Sequence, residues 1–272
     1  MMKKRHPFMH ITALVYTIVS LIPLLWMVSG SLKSLDDFNQ YPPRFIPETF
    51  HFENFTALFK TFHFEIYLRN TTFVTIMIVV LSLLVNSMAA YALSRLKFPG
   101  RNVVFLFVLG SMMIPFATFM IPLFMIIRQL GLINNLWGII VIAIAHPFSI
   151  FLLRQFYMNF PKELEEAGRI DGLGYTSIFF RLIIPTSKPI FTTVGILVFI
   201  WNWNNYVWPL IVTNDKELWV LQLGIVSFMS EHSAEFQMVM AGSVIAILPV
   251  VILFFALQRY IIEGILSSGI KG

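Results

Sequence analysis

The sequence predicts an all-α integral membrane protein with six transmembrane helices, and three observations carry that class. Of 272 residues, 57% are apolar and 12% charged, and the mean hydropathy is +0.78. A soluble domain carries about twice that share of charge and needs it to cover its surface. Second, six intervals contain no Asp, Glu, Lys or Arg: those between Arg5 and Lys33, Arg69 and Arg95, Arg101 and Arg128, Arg128 and Arg154, Lys188 and Asp215, and Glu235 and Arg259. Each is long enough for the roughly 20 residues that cross the hydrocarbon core. Third, the polar-in, apolar-out alternation of a barrel strand is missing, and in lipid only helices or closed barrels satisfy their backbone. A soluble enzyme and a disordered chain are excluded by composition. A disulfide scaffold is excluded because the chain has no cysteine.

Taken in order, the first span follows Lys3-Lys4-Arg5 and ends near Ser29-Gly30-Ser31. Its apolar stretch is longer than that of a secretory signal, so an uncleaved span is expected. Residues 33–69 form an outer loop with Pro42, Pro43 and Pro47, expected to pack on the outer face through Phe52, Phe55 and Phe59. Asn54-Phe55-Thr56 and Asn70-Thr71-Thr72 match glycosylation acceptors, a pattern that also arises by chance. Pro115, Pro122, Pro209 and Pro249 permit bends within the spans, and His146-Pro147 is read as a kink with a satisfied imidazole rather than a proton relay. Residues 215–235, with Asp215, Glu217, Glu231 and Glu235 against one Lys, are expected to be an outer loop facing solvent or a partner.

Direction follows from Lys and Arg. With the amino terminus inside, inner segments hold 13 of the 19 basic residues, so both termini are expected in the cytoplasm. The formal charge of +5 is then a topology signal and no sign of nucleic-acid binding.

The inner segment 154–188 carries the most information. Asn159-Phe160-Pro161, followed by Lys162-Glu163-Leu164-Glu165-Glu166-Ala167, reads as a helix start, with Pro161 at the first helical position and carboxylates complementing the dipole. Gly172 and Gly174 bracket a stop, and a second helix runs from about Tyr175 to Ile184, ended by Pro185. Three Glu in four positions would be repelled by an anionic inner leaflet. A protein partner fits this amphipathic helix–turn–helix better than a lipid surface.

At this point the sequence resembles a known family. Glu166-Ala167-Gly168, three residues, Gly172, then Leu182-Ile183-Ile184-Pro185 is similar to the loop that bacterial ABC importer permeases insert into their ATPase. The family pattern is Glu-Ala-Ala, three residues, Gly, nine residues, Ile, any residue, Leu, Pro. Gly168 stands for the second Ala, Leu182 for Ile and Ile184 for Leu. The likeness to the carbohydrate branch, and most to the maltose-type six-helix permease, extends through Ser31-Leu32-Lys33-Ser34, Pro43-Arg44-Phe45-Ile46-Pro47, Leu130-Gly131-Leu132-Ile133-Asn134, Ile150-Phe151-Leu152-Leu153-Arg154, Trp201-Asn202-Trp203-Asn204 and Gly269-Ile270-Lys271-Gly272.

The resemblance implies the type I importer permease fold. Residues 1–68 would form the first span and outer loop, 69–260 the core permease domain and 261–272 a cytoplasmic tail. It implies import of a di- or oligosaccharide by alternating access, with a homologous second permease in a heterodimer, two ABC ATPase domains and an extracytoplasmic sugar-binding protein. ATP and Mg would belong to the ATPase, leaving no cofactor, metal or catalytic residue on this chain. Glu165, Glu166, Ala167, Gly168, Asp171, Gly172 and Pro185 become the ATPase-coupling residues, with Glu166 meeting a basic residue of the ATPase. The final residues, Ser267 to Gly272, would reach into the ATPase pair.

Polar residues inside spans are costly and so are candidates for a translocation path. Asn86 and Tyr91, with Ser87, lie in the second span, and Asn202 and Asn205, with Asn204, in the fifth. Amides bind sugar hydroxyls as donor and acceptor. Helix–helix bonding is the favoured alternative. The chain lacks a Gly-x4-Gly-Lys-Ser/Thr loop and the spacing of a zinc site. A stand-alone ion- or proton-coupled transporter is the competing class, but no Asp or Glu falls within the six intervals. An intramembrane enzyme would need a Cys, a Ser–His or an Asp pair placed in the bilayer, and no such set appears.

Overall fold

The computed structural model describes residues 7–230 and 235–269. Lys3, Lys4, Arg5, Glu231 and residues 270–272 therefore lie outside the described residues. In chain order the helices are α1 (Pro7–Ser31), α2 (Leu35–Asn39), α3 (Glu53–Lys60), α4 (Phe64–Arg95), α5 (Arg101–Ser111), α6 (Phe116–Gln129), α7 (Leu136–Ile144), α8 (Pro147–Met158), α9 (Lys162–Ile170), α10 (Tyr175–Ile178), α11 (Ile184–Thr186), α12 (Lys188–Trp203), α13 (Val207–Val212), α14 (Leu221–Ser230) and α15 (Phe236–Gly269). No strand occurs among the described residues.

Four helices are long and apolar enough to cross a membrane: Phe8–Ser31, Phe64–Arg95, Leu136–Met158 and Phe236–Gln258. Two bent pairs bring the number to six if each pair is one span. The interval expected as a single third helix is instead α5 and α6, bent by 106°. Pro115 sits in the break with extended backbone (φ −59°, ψ 140°), supplying no N–H to continue the α5 ladder. The fifth interval likewise holds a 16-residue helix, α12, that meets the preceding Tyr175–Thr186 segment at 80°.

Inside lipid a hydroxyl has no water to satisfy it, and six helix hydroxyls of this chain return to its own backbone. Thr12, Thr17, Thr72, Thr192, Thr193 and Ser243 each donate to the carbonyl four residues back. At 32 residues, α4 is about 48 Å long, well beyond a hydrocarbon core of about 30 Å. Its ends therefore reach past the bilayer.

The chain divides into two compact units. One comprises Met1–Glu65 with Leu223–Pro249. Its aromatic core includes Phe64 against Phe59 and Phe228, and Phe38 stacked on Phe236. Asn54 is buried and donates to the carbonyls of Ser31 (2.9 Å) and Lys33 (2.8 Å), tying α3 to the end of α1. Buried Lys33 is also held, its ammonium donating to the Arg44 carbonyl and lying 4.7 Å over Trp26.

The second unit comprises Ile66–Gln222 with Val250–Gly272. Asn70 is buried and donates to the carbonyls of Glu217 (2.8 Å) and Trp219 (3.0 Å), and Thr71 accepts from the Leu221 N–H (2.7 Å). Neither Asn54 nor Asn70 offers a free amide, so both glycosylation matches are overturned. The outer segment 215–235 is also not a plain loop: α14 occupies much of it, with Leu221, Leu223, Ile225 and Phe228 buried.

Candidate functional site: the helical hairpin and its supports

α9 begins at Lys162, with Pro161 one position earlier than expected, as the N-cap. It ends where the sequence places its stop. The Gly172 N–H donates to the Arg169 carbonyl and the Leu173 N–H to the Gly168 carbonyl, a Schellman ending that needs Gly172 at φ +80°. The return limb is not ended by Pro185. Phe179–Ile183 is a π-turn in which the Ile184 N–H reaches the Phe179 carbonyl, and the helix continues through Pro185 to Thr186. The wider turn accommodates a ring that would otherwise clash with the preceding turn.

The two limbs pack through Gly168. A Cβ there would stand 3.0 Å from Leu182 Cδ1 and 3.5 Å from Ile178. Two of the three departures from the family loop pattern thus face each other: a missing methyl at 168 and a longer-reaching Leu at 182.

The predicted coupling residues divide between two faces. Glu166, Ala167, Asp171, Gly172 and Pro185 are exposed, and Ile170 beside them is 87% exposed. Glu165 and Gly168 are buried. The Glu165 carboxylate lies 3.1 Å from Arg95 Nε at the end of α4, with both side chains under a tenth exposed. The Arg95 guanidinium also donates to the Phe160 carbonyl and sits 5.9 Å from the Phe160 ring. Arg154 on α8 adds a second clamp on α4, donating to the Leu93 carbonyl (3.2 Å) while lying 3.8 Å over Phe105. One turn above Arg95, Tyr91 is buried against Phe179 of the π-turn (5.3 Å) and Tyr157 (6.4 Å). Tyr91, expected on a translocation path, thus lies one turn from Arg95, which the sequence does not single out. Three closely spaced Glu hid the inward one, although Gly168 three residues on marks the same helix face.

The side-chain amides of Asn86, Asn202 and Asn204 donate to backbone carbonyls. Asn86 is fully buried; its NH₂ donates to Ser82 Oγ (2.6 Å) and the Ile144 carbonyl (3.0 Å), and its oxygen accepts from the His146 N–H (3.1 Å). Those backbone groups are orphaned by the break between α7 and α8, where Pro147 forces His146 into extended backbone. The His146 ring packs 4.6 Å from Trp201, near the end of α12. Asn202 donates to the Val198 carbonyl (2.8 Å) and Asn204 to the Ile200 carbonyl (2.8 Å), while the Asn205 N–H donates to the Asn202 carbonyl (3.2 Å). No cluster able to hold a metal ion occurs among the described residues.

A brace holding a two-helix knob against the end of a long span is the arrangement to be compared with known proteins. Residues 87–266 match the family model for the binding-protein-dependent transport system inner membrane component. The chain belongs to that family. The permease is 37% identical to the arabinooligosaccharides transport system permease protein AraQ of Halalkalibacterium halodurans, over 93% of this chain and 92% of the relative. It is 35% identical to the lactose transport system permease protein LacG of Rhizobium radiobacter (92% and 91% covered). With the trehalose/maltose transport system permease protein MalG of Thermococcus litoralis it shares 32% identity (96% and 95%). Among solved structures it is similar to a chain of a bacterial ABC transporter involved in import of the acidic polysaccharide alginate, with TM-score 0.83 and 27% identity over 96% of this chain and 99% of that one. The permease is a multi-pass inner-membrane component of an ABC transport system.

Proposed function

We propose that this permease moves a di- or oligosaccharide into the cell as one half of a permease heterodimer, driven by ATP hydrolysis on separate ABC ATPase domains and supplied by an extracytoplasmic sugar-binding protein. Both termini face the cytoplasm. The hairpin of residues 161–185 docks in the ATPase, and closure of the ATPase pair on ATP and Mg moves the hairpin and switches the path from inward- to outward-facing. The chain supplies no catalytic group of its own.

The observation that carries this reading is the two-sided hairpin. Its inner face is sealed by Glu165, Gly168 and Ile178, while Glu166, Ala167 and Ile170 stand exposed. A knob stiffened from within, with an open carboxylate set beside exposed Ala167 and Ile170, is built to be gripped by protein. The relatives act on arabinooligosaccharides, lactose and trehalose or maltose, which supports a short glycan as cargo. No mid-membrane carboxylate supports the ion-coupled alternative.

The test is reconstitution of the intact assembly in proteoliposomes with a panel of short glycans. One or more glycans should stimulate ATP hydrolysis and enter only when ATP is present. Uptake without the ATPase subunits, or labelling of Glu166→Cys from the exterior, would refute it.

A further inference from the structure

We propose that Arg95 and Glu165 form the joint through which motion of the hairpin is passed to the second span, so that Glu165 is a positioning residue and not an ATPase contact. This rests on the importer reading and assigns work to a pair that the reading does not need.

Arg95 is the last residue of α4, and Glu165 lies in the first turn of α9. Their side chains are 6% and 8% exposed, so the pair is shielded from salt and solvent, and the carboxylate faces Arg95 rather than the open surface. Arg95 also binds the Phe160 carbonyl, which enters the hairpin, so one guanidinium holds both the approach and the first turn. Tyr91 against Phe179 holds the return limb to the same helix. Nine residues back from Arg95 along α4, Asn86 holds the backbone at the α7–α8 break. The end of α4, the hairpin and the bend in the fourth span are thus joined by directed contacts. Of these only Arg95–Glu165 ties α4 to α9 by charge. Glu166, one residue on, is exposed and stays the docking group.

The two carboxylates therefore fail differently. In reconstituted importer, Glu165→Gln should leave the ATPase bound and ATP hydrolysis within about twofold of wild type, while sugar moved per ATP falls about tenfold, within the range of coupling between distant sites. Arg95→Lys keeps a cation and should retain uptake per ATP within about threefold. Unchanged uptake per ATP in Glu165→Gln would overturn the proposal, as would loss of the ATPase from the assembly. Should Glu165→Gln fail to accumulate, the exchange Arg95→Glu/Glu165→Arg decides: uptake recovered above the Glu165→Arg single variant supports the joint, and none recovered overturns it. A wild-type assembly that hydrolyses ATP without any glycan uptake would sink the importer reading itself, a result separate from these.

Discussion

The hairpin of Lys162–Thr186 and the amide-bearing stretches around Asn86 and Asn202 are both polar interruptions of an apolar chain, yet they spend their polarity in opposite directions. In the hairpin one carboxylate turns inward to Arg95 and its neighbour is left open. Around Asn86 and Asn202 the amide hydrogens go to carbonyls of the chain itself, at a helix break or one turn back. A side chain with unmet bonding capacity on a braced surface points to a partner. One whose amide already donates to a carbonyl of its own chain is holding backbone together.

The sharpest way to break this contrast is Glu166→Lys. Reversing a charge in a docking contact costs roughly 2–5 kcal/mol, so ATPase retained on the membrane should fall by about 100-fold at limiting concentration with the permease still accumulating. Normal retention would remove the outward half of the comparison. Next, Asn86→Leu should orphan the His146 N–H and the Ile144 carbonyl at roughly 1–3 kcal/mol each. The signature is a lower melting temperature in detergent at unchanged sugar affinity; a selective loss of affinity would move Asn86 into the path. Gly168→Val should overfill the contact with Leu182 and Ile178 and cost about 1–3 kcal/mol, read as faster proteolysis of the hairpin. The smallest effect is expected for Asn202→Leu, where half-saturating sugar should shift less than about threefold because the amide serves its own helix. A larger shift would break the comparison from the other side.

Much of the fold is legible from where charge is absent. Each of the six intervals holds helix, because a lone Lys or Glu in hydrocarbon is costly enough to be excluded. The hairpin's stop at Gly172 is legible because a left-handed turn is a backbone requirement written in one residue. The 106° bend between α5 and α6 is not. Pro115 licenses a break, but Pro23 and Pro249 lie inside continuous helices, so the residue alone does not set the angle. Burial of Asn54 and Asn70 was hidden for another reason: their partners are carbonyls more than 20 and more than 140 residues away in sequence. The inward turn of Glu165 depends on Arg95, which no local pattern links to it.

Asn86 has one further consequence. A proline-induced elbow is often treated as a swivel, but here both loose backbone ends at the elbow are already tied to a neighbouring helix. Straightening the fourth span would return the His146 N–H and the Ile144 carbonyl to the helix ladder and leave the buried Asn86 amide without either partner, so the elbow behaves as a fixed bracket. Any tilt of that span at the bracket therefore carries α4 with it.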